Sequence, residues 1–176
     1  MMSHHSILHI IAAMCAALTL AGTAAAQHGR EVVRDASGRI IQTIDRQSMP
    51  GGGERAVTRD ASGRILGTAI TRSSPGGQRN TTFRDASGRI TGSATSRNGP
   101  TRAEQTTFRD ASGRITGRAS TTRQPTPSRE QARTVFRDAS GRITGTEQSQ
   151  SNGSFHATRR DATGRITGTS AGQRRR

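Results

Sequence analysis

A pair of arginines flanking one short turn recurs six times in this chain. The string Arg-Asp-Ala-Ser-Gly-Arg occupies residues 34–39, 59–64, 84–89, 109–114 and 137–142, and returns with threonine for serine at 160–165. A guanidinium group is planar, permanently charged and able to donate two parallel hydrogen bonds to a phosphate or carboxylate. Repeated at a fixed position, it suits a partner that is itself a repeating anion. The candidate anion-binding residues are Arg59, Arg64, Arg84, Arg89, Arg109, Arg114, Arg137 and Arg142. For an exported protein the matching ligands are lipopolysaccharide phosphate, acidic polysaccharide or extracellular nucleic acid. The alternative is that these arginines keep an exposed sheet soluble and block edge-to-edge pairing, each aspartate partly neutralising its neighbours. Sequence-specific nucleic-acid recognition is not expected. The chain has no tyrosine or tryptophan to stack on bases, and its four phenylalanines are placed as structural residues.

Other chemistry finds less support. Ser87 and its equivalents have no histidine near them in sequence to act as a base. Every motif aspartate lies beside arginine, which keeps it ionised. The expectation is a non-enzymatic protein without a cofactor. A calcium site wants about six to eight oxygens, whereas each turn offers one carboxylate and one hydroxyl. His28 and His156 stand far apart with no acid or cysteine at ligand spacing, so no metal site is expected.

What positions the arginines is the repeat itself. The marker aspartates Asp35, Asp60, Asp85, Asp110, Asp138 and Asp161 are 25, 25, 25, 28 and 23 residues apart, while the segments between motifs vary and read as loops or linkers. Within one copy, Thr81, Thr82 and Phe83 are strand formers, Asp85-Ala86-Ser87-Gly88 is a turn, and Ile90-Thr91 resumes a strand. Two registers compete. A four-residue loop puts Arg84 opposite Arg89 and Phe83 opposite Ile90, giving one face of Phe83, Ile90, Gly92 and Ala94 and another of Thr82, Arg84, Arg89 and Thr91. A three-residue loop with a glycine bulge puts Arg84 opposite Ile90. The first is preferred because it separates apolar from charged.

One hairpin cannot stand alone. Burying a Phe and an Ile contributes about 3 to 6 kcal/mol, whereas ordering about a dozen residues costs about 12 to 24 kcal/mol. Valine, isoleucine, leucine and phenylalanine make up 18 of the 150 residues after residue 26, below the roughly 20 per cent at which composition begins to favour disorder. A thick core is therefore excluded, and neighbouring copies have to stack. The expected fold is all-β: six tandem hairpins in an elongated antiparallel sheet or open β-solenoid with flexible linkers, disorder of those linkers being the competitor. Thr58 and Arg159 stand where other copies carry phenylalanine, so the apolar row is expected to thin toward both ends.

The motif is similar to the tyrosine-aspartate repeats of RHS-type bacterial surface and toxin-shell proteins, through Asp85, Gly88, Arg89, Ile90 and their equivalents. The likeness covers about half of the chain after residue 26. It departs from the family in placing arginine where the tyrosine would stand, and six hairpins are too few for an enclosing shell. The resemblance implies a hairpin array at or outside the cell surface, with carbohydrate or surface binding, and neither a toxin nor a cage.

The chain's opening supports that compartment. Ile7 to Gly22 is largely apolar and Thr23-Ala24-Ala25-Ala26 supplies small residues for a signal peptidase, so residues 1–26 read as a signal peptide with a helical centre. The apolar run is shorter than the roughly 20 residues of a membrane anchor. Met14 before Cys15 argues against lipid attachment. Cys15, the one cysteine, leaves with the signal, and no disulfide is expected. The remaining organisation is a short lead at 27–31, the array at 32–169 and a basic tail at 170–176. Export to the periplasm, cell surface or medium is expected, with no transmembrane span after cleavage. At a net charge of +15, the favoured role is an envelope scaffold or interaction protein. A module binding an anionic envelope or extracellular polymer is the alternative.

Overall fold

The computed structural model describes residues 29–99, 103–126, 129–151 and 154–174. The signal-peptide reading of residues 1–26 lies outside them, as do His28 and the last two arginines. The described chain forms twelve strands: β1 (Gly29–Asp35), β2 (Ile40–Met49), β3 (Gly53–Asp60), β4 (Ile65–Ser73), β5 (Arg79–Asp85), β6 (Ile90–Asn98), β7 (Ala103–Asp110), β8 (Ile115–Thr126), β9 (Arg129–Asp138), β10 (Ile143–Ser151), β11 (Ser154–Asp161) and β12 (Ile166–Arg174). Each pairs antiparallel with its neighbours in sequence, and β1 pairs with β12, so the sheet closes into a barrel. This overturns the expectation of an elongated sheet or open solenoid. The variable segments are not flexible linkers over most of their length either. They supply the outer halves of strands and short turns, and β12 takes in the first residues of the segment read as a tail.

Closure follows from the way copies join. Between copies the motif aspartate faces the residue two places past the isoleucine of the preceding strand: Gly67 with Asp85, Gly92 with Asp110, Gly117 with Asp138, Gly145 with Asp161, and Gln42 with Asp60. The junction of β12 with β1 repeats this register, Gly168 facing Asp35. The last copy thus meets the first as any copy meets the next, and six copies go once round. Each of the six hairpins carries a bulge beside the motif, and bulges bend and coil a sheet toward closure. A closed ring also removes the exposed edges that an open array would leave at both ends.

The hairpins adopt the register that was not preferred. Arg84 faces Ile90 and Phe83 faces Gly92, with a shift between them. The reason is the glycine: Asp85 N–H donates to the Arg89 carbonyl and Gly88 N–H to the Asp85 carbonyl, with Gly88 at φ +81°, which makes a three-residue loop with a glycine bulge. Phe83 is therefore buried while Ile90 is 47 % exposed, and no shared apolar row joins them.

The lumen is filled by large residues set against small ones. Phe83 lies between Gly92 and Ala69, Phe108 between Gly117 and Ala94, and Phe136 between Gly145 and Ala119. The glycines cannot be replaced by alanine without a collision. A Cβ at Gly117 or Gly145 would come within 2.6 Å of the carbonyl oxygen of Arg137 or Arg160. In the three copies without phenylalanine the same register places Val33 beside Ser170, Thr58 beside Ile44 and Arg159 beside Glu147. The apolar row does not thin toward two ends, because the barrel has none. The apolar cluster runs from Val33 and Ile44 through Phe83 and Phe108 to Ala119 and Phe136, and polar Glu147, Arg159 and Ser170 interrupt the wall on β10 to β12.

Candidate anion-binding rim

Because the barrel is an up-and-down meander, all six motif turns lie on one rim, and both ends of the described chain lie on the other. The turns share the same backbone bonds to the aspartate, and in all but the third copy the hydroxyl two residues on donates to it as well. In the fourth copy Asp110 Oδ1 accepts from Ser112 N–H at 2.9 Å, Ser112 O–H at 2.6 Å and Arg114 N–H at 3.0 Å. Arg109 Nη1 donates to the Gly113 carbonyl at 2.8 Å. The aspartate is a turn clamp whose carboxylate is occupied by its own loop.

These bonds divide the eight predicted arginines into two kinds. Arg59, Arg84, Arg109 and Arg137 each spend one guanidinium N–H on the glycine carbonyl of their own turn, at 2.7 to 3.0 Å. They lock the loop. Arg64, Arg89, Arg114 and Arg142 contribute their backbone N–H or carbonyl to the turn and leave exposed side chains. The open array was expected to align them in two straight rows. The closed barrel sets them in a ring instead, with equivalent residues every second strand, about 10 Å apart. The ring is completed by residues absent from the candidate list: Arg34 and Arg160 bond Gly38 and Gly164, and Arg39 and Arg165 are exposed like their counterparts. The motif already marked these positions, but only closure makes the terminal copies equal members. With two arginines to one aspartate in each turn, the rim is strongly positive.

The turn carboxylates respond to this geometry. Asp35, Asp60, Asp110, Asp138 and Asp161 are held below the ordinary carboxylate range, chiefly by the hydroxyl of the serine or threonine two residues on, with backbone N–H bonds and the following arginine adding to it. A lowered folded pKa means the ionised form favours the fold. The contribution is complete above the unfolded aspartate pKa of about 3.9 and is lost as the pH falls through the lowered folded value. Thermal unfolding followed by circular dichroism is expected to hold level from neutral pH to about pH 4, then to fall steeply. A melting temperature unchanged to about pH 2 would contradict the clamp.

Sequence reasoning missed a second set of charges, which lies inside. Glu31, Glu104 and Glu147 are buried in the lumen. Arg46 bonds Glu31 and Glu54, each at 2.9 Å. Glu104 takes Arg79 and, at 3.0 Å, Arg123, which reaches Glu130 at 3.2 Å. Arg159 donates to Glu147 at 2.9 Å. Burial alone would lower the Arg46 pKa, but the charges and hydrogen bonds of Glu31 and Glu54 outweigh it and raise the pKa. All of these but Arg159 sit outside the repeated motif, and their pairing across strands is invisible without the register. Glu31 Oε1, Gln42 Oε1, Arg159 Nη2 and Ser170 Oγ are buried without a protein partner, all on β11, β12, β1 and β2. Buried polar atoms of this kind are met by ordered water.

No protein-family model matches the chain, and no curated protein is significantly similar to it. Among solved structures, a Bacteroides fragilis protein, presumed exported and of YmcC-like fold, overlays 88 % of this chain and 96 % of its own at a TM-score of 0.47 and 8 % identity. A superposition that loose carries no argument about this chain. Among the described residues, no three histidines, cysteines or acids stand together as a metal site. His156 lies exposed on β11.

Proposed function

We propose that this chain is an exported, non-catalytic barrel of the cell envelope that binds an anionic polymer through its motif rim. The supporting observation is that closure gathers Arg39, Arg64, Arg89, Arg114, Arg142 and Arg165 around one opening, each exposed and each anchored by a rigid turn. Rigid presentation lowers the ordering cost of binding, and guanidinium groups match phosphate or carboxylate. The barrel stands in water rather than across a bilayer. Its outer wall carries exposed Arg30, Arg55, Arg72, Arg97, Arg118 and Arg133 among threonines and glutamines, where a spanning barrel needs an apolar band about 25 Å tall. The likeness to tyrosine-aspartate repeats accords with a role at the cell surface.

The test is retention on heparin at about physiological salt. Glutamine at Arg64, Arg89, Arg114 and Arg142 is expected to weaken binding by about tenfold or more. Glutamine at Arg55, Arg72, Arg118 and Arg133 removes the same charge from the wall and should cost much less. Equal losses in the two variants would reduce the attraction to net charge and reject the rim as a site.

A further inference from the structure

The chain has few large apolar residues, yet it exposes a set of them on the rim that carries the arginines. Ile40, Ile41, Ile65, Ile90, Ile143 and Ile166 are 41 to 47 % exposed. Ile40, Ile65, Ile90, Ile143 and Ile166, together with half-buried Ile115, directly follow the motif, each facing the first arginine of its own turn across the hairpin. They form an aliphatic collar around the outside of the opening. Folding does not call for it: the strand needs a β-branched residue at this place, and threonine supplies that without exposing hydrocarbon. The turn tips beyond the collar carry exposed alanine at positions 36, 61, 86, 111, 139 and 162. The tips thus set an exposed alanine beside an exposed serine or threonine, the collar is aliphatic, the exposed arginines stand between them, and each turn aspartate is occupied by its own loop.

We infer that this rim docks end-on on an anionic lipid surface, the arginines meeting headgroup phosphates and the isoleucine collar entering the boundary between headgroups and acyl chains. Apolar surface bordered by arginine is the composition that holds a protein in the interface plane, where hydrocarbon burial and attraction to anionic lipid add. A soluble polyanion would use the arginines but has nothing to offer the collar. The inference rests on the anionic-rim reading and names its partner.

The experiment uses residues 27–176, which contain the whole closed barrel, and vesicles of phosphatidylglycerol mixed with phosphatidylcholine or of phosphatidylcholine alone. The barrel is expected to co-sediment with the anionic vesicles and far less with the neutral ones. Threonine at Ile65, Ile90, Ile143 and Ile166 should lower the partition by about tenfold or more while leaving heparin retention and the circular dichroism spectrum unchanged. Because the chain has no tryptophan or tyrosine, Ile90→Trp gives an independent reading should the fourfold variant fold poorly. Its emission should shift to the blue on anionic vesicles, while that of Gln105→Trp on the outer wall should not. Undiminished vesicle binding by a folded threonine variant, or an unshifted Ile90→Trp spectrum, overturns the collar. Heparin retention without vesicle binding overturns the lipid partner and leaves the anionic rim standing, whereas failure of both removes the two together.

Discussion

Deleting the last hairpin, residues 154–176, is expected to abolish cooperative unfolding rather than to yield a barrel one repeat shorter. The deletion removes Ser170 from beside Val33, Gly168 from beside Asp35 and Arg159 from beside Glu147. It leaves β1 and β10 as unpaired edges, each carrying a glutamate that is otherwise buried. Open edges pair with other chains, and an unpartnered acid beside an apolar wall opposes collapse. Thermal unfolding should lose its sharp transition, and sedimentation should show association. In an open solenoid stability is a sum of nearest-neighbour terms, so removing a terminal copy lowers the midpoint and keeps the transition. A monomeric five-copy chain that melts sharply would therefore restore the open architecture.

The second large effect concerns the pair Glu147 and Arg159, which occupies the register filled elsewhere by Ala69 with Phe83, Ala94 with Phe108, and Ala119 with Phe136. Glu147→Ala alone strands the Arg159 guanidinium in the lumen and should destabilise the barrel by about 3 to 5 kcal/mol. Adding Arg159→Phe rewrites the pair in the form that the barrel already uses three times. The double variant should return to wild-type stability or exceed it by about 1 to 4 kcal/mol, since well-packed apolar residues often replace a buried ion pair without loss. Urea titration of the three chains measures this directly. If the double variant is no more stable than Glu147→Ala, the lumen is not built from interchangeable large-and-small pairs.

The two cases show which features local chemistry reveals. The turn was readable because its requirements lie within five residues: an aspartate to accept N–H groups and a glycine at positive φ. The strands on either side, the six copies and the arginines at the turn were readable for the same reason. The register was less so. It turned on whether Gly88 belongs to a four-residue turn or forms a bulge, and the tidy separation of apolar from charged pointed the wrong way, placing Ile90 inside. The internal ion pairs were hidden altogether, because Glu104 and Arg79 lie a repeat apart in segments that vary freely.

By itself, then, the sequence determined a set of six equivalent β-hairpins, too poor in apolar residues to fold singly, each presenting arginine at a rigid turn. Only the tertiary structure decided that they close. Closure depends on curvature, which each bulge and each glycine against a neighbouring carbonyl supplies in small amounts, and whose sum returns the chain to its start only when all six copies are counted. From that one geometric fact come the large-and-small packing of the lumen, the pairing of its buried charges and the gathering of arginine and isoleucine on a single rim.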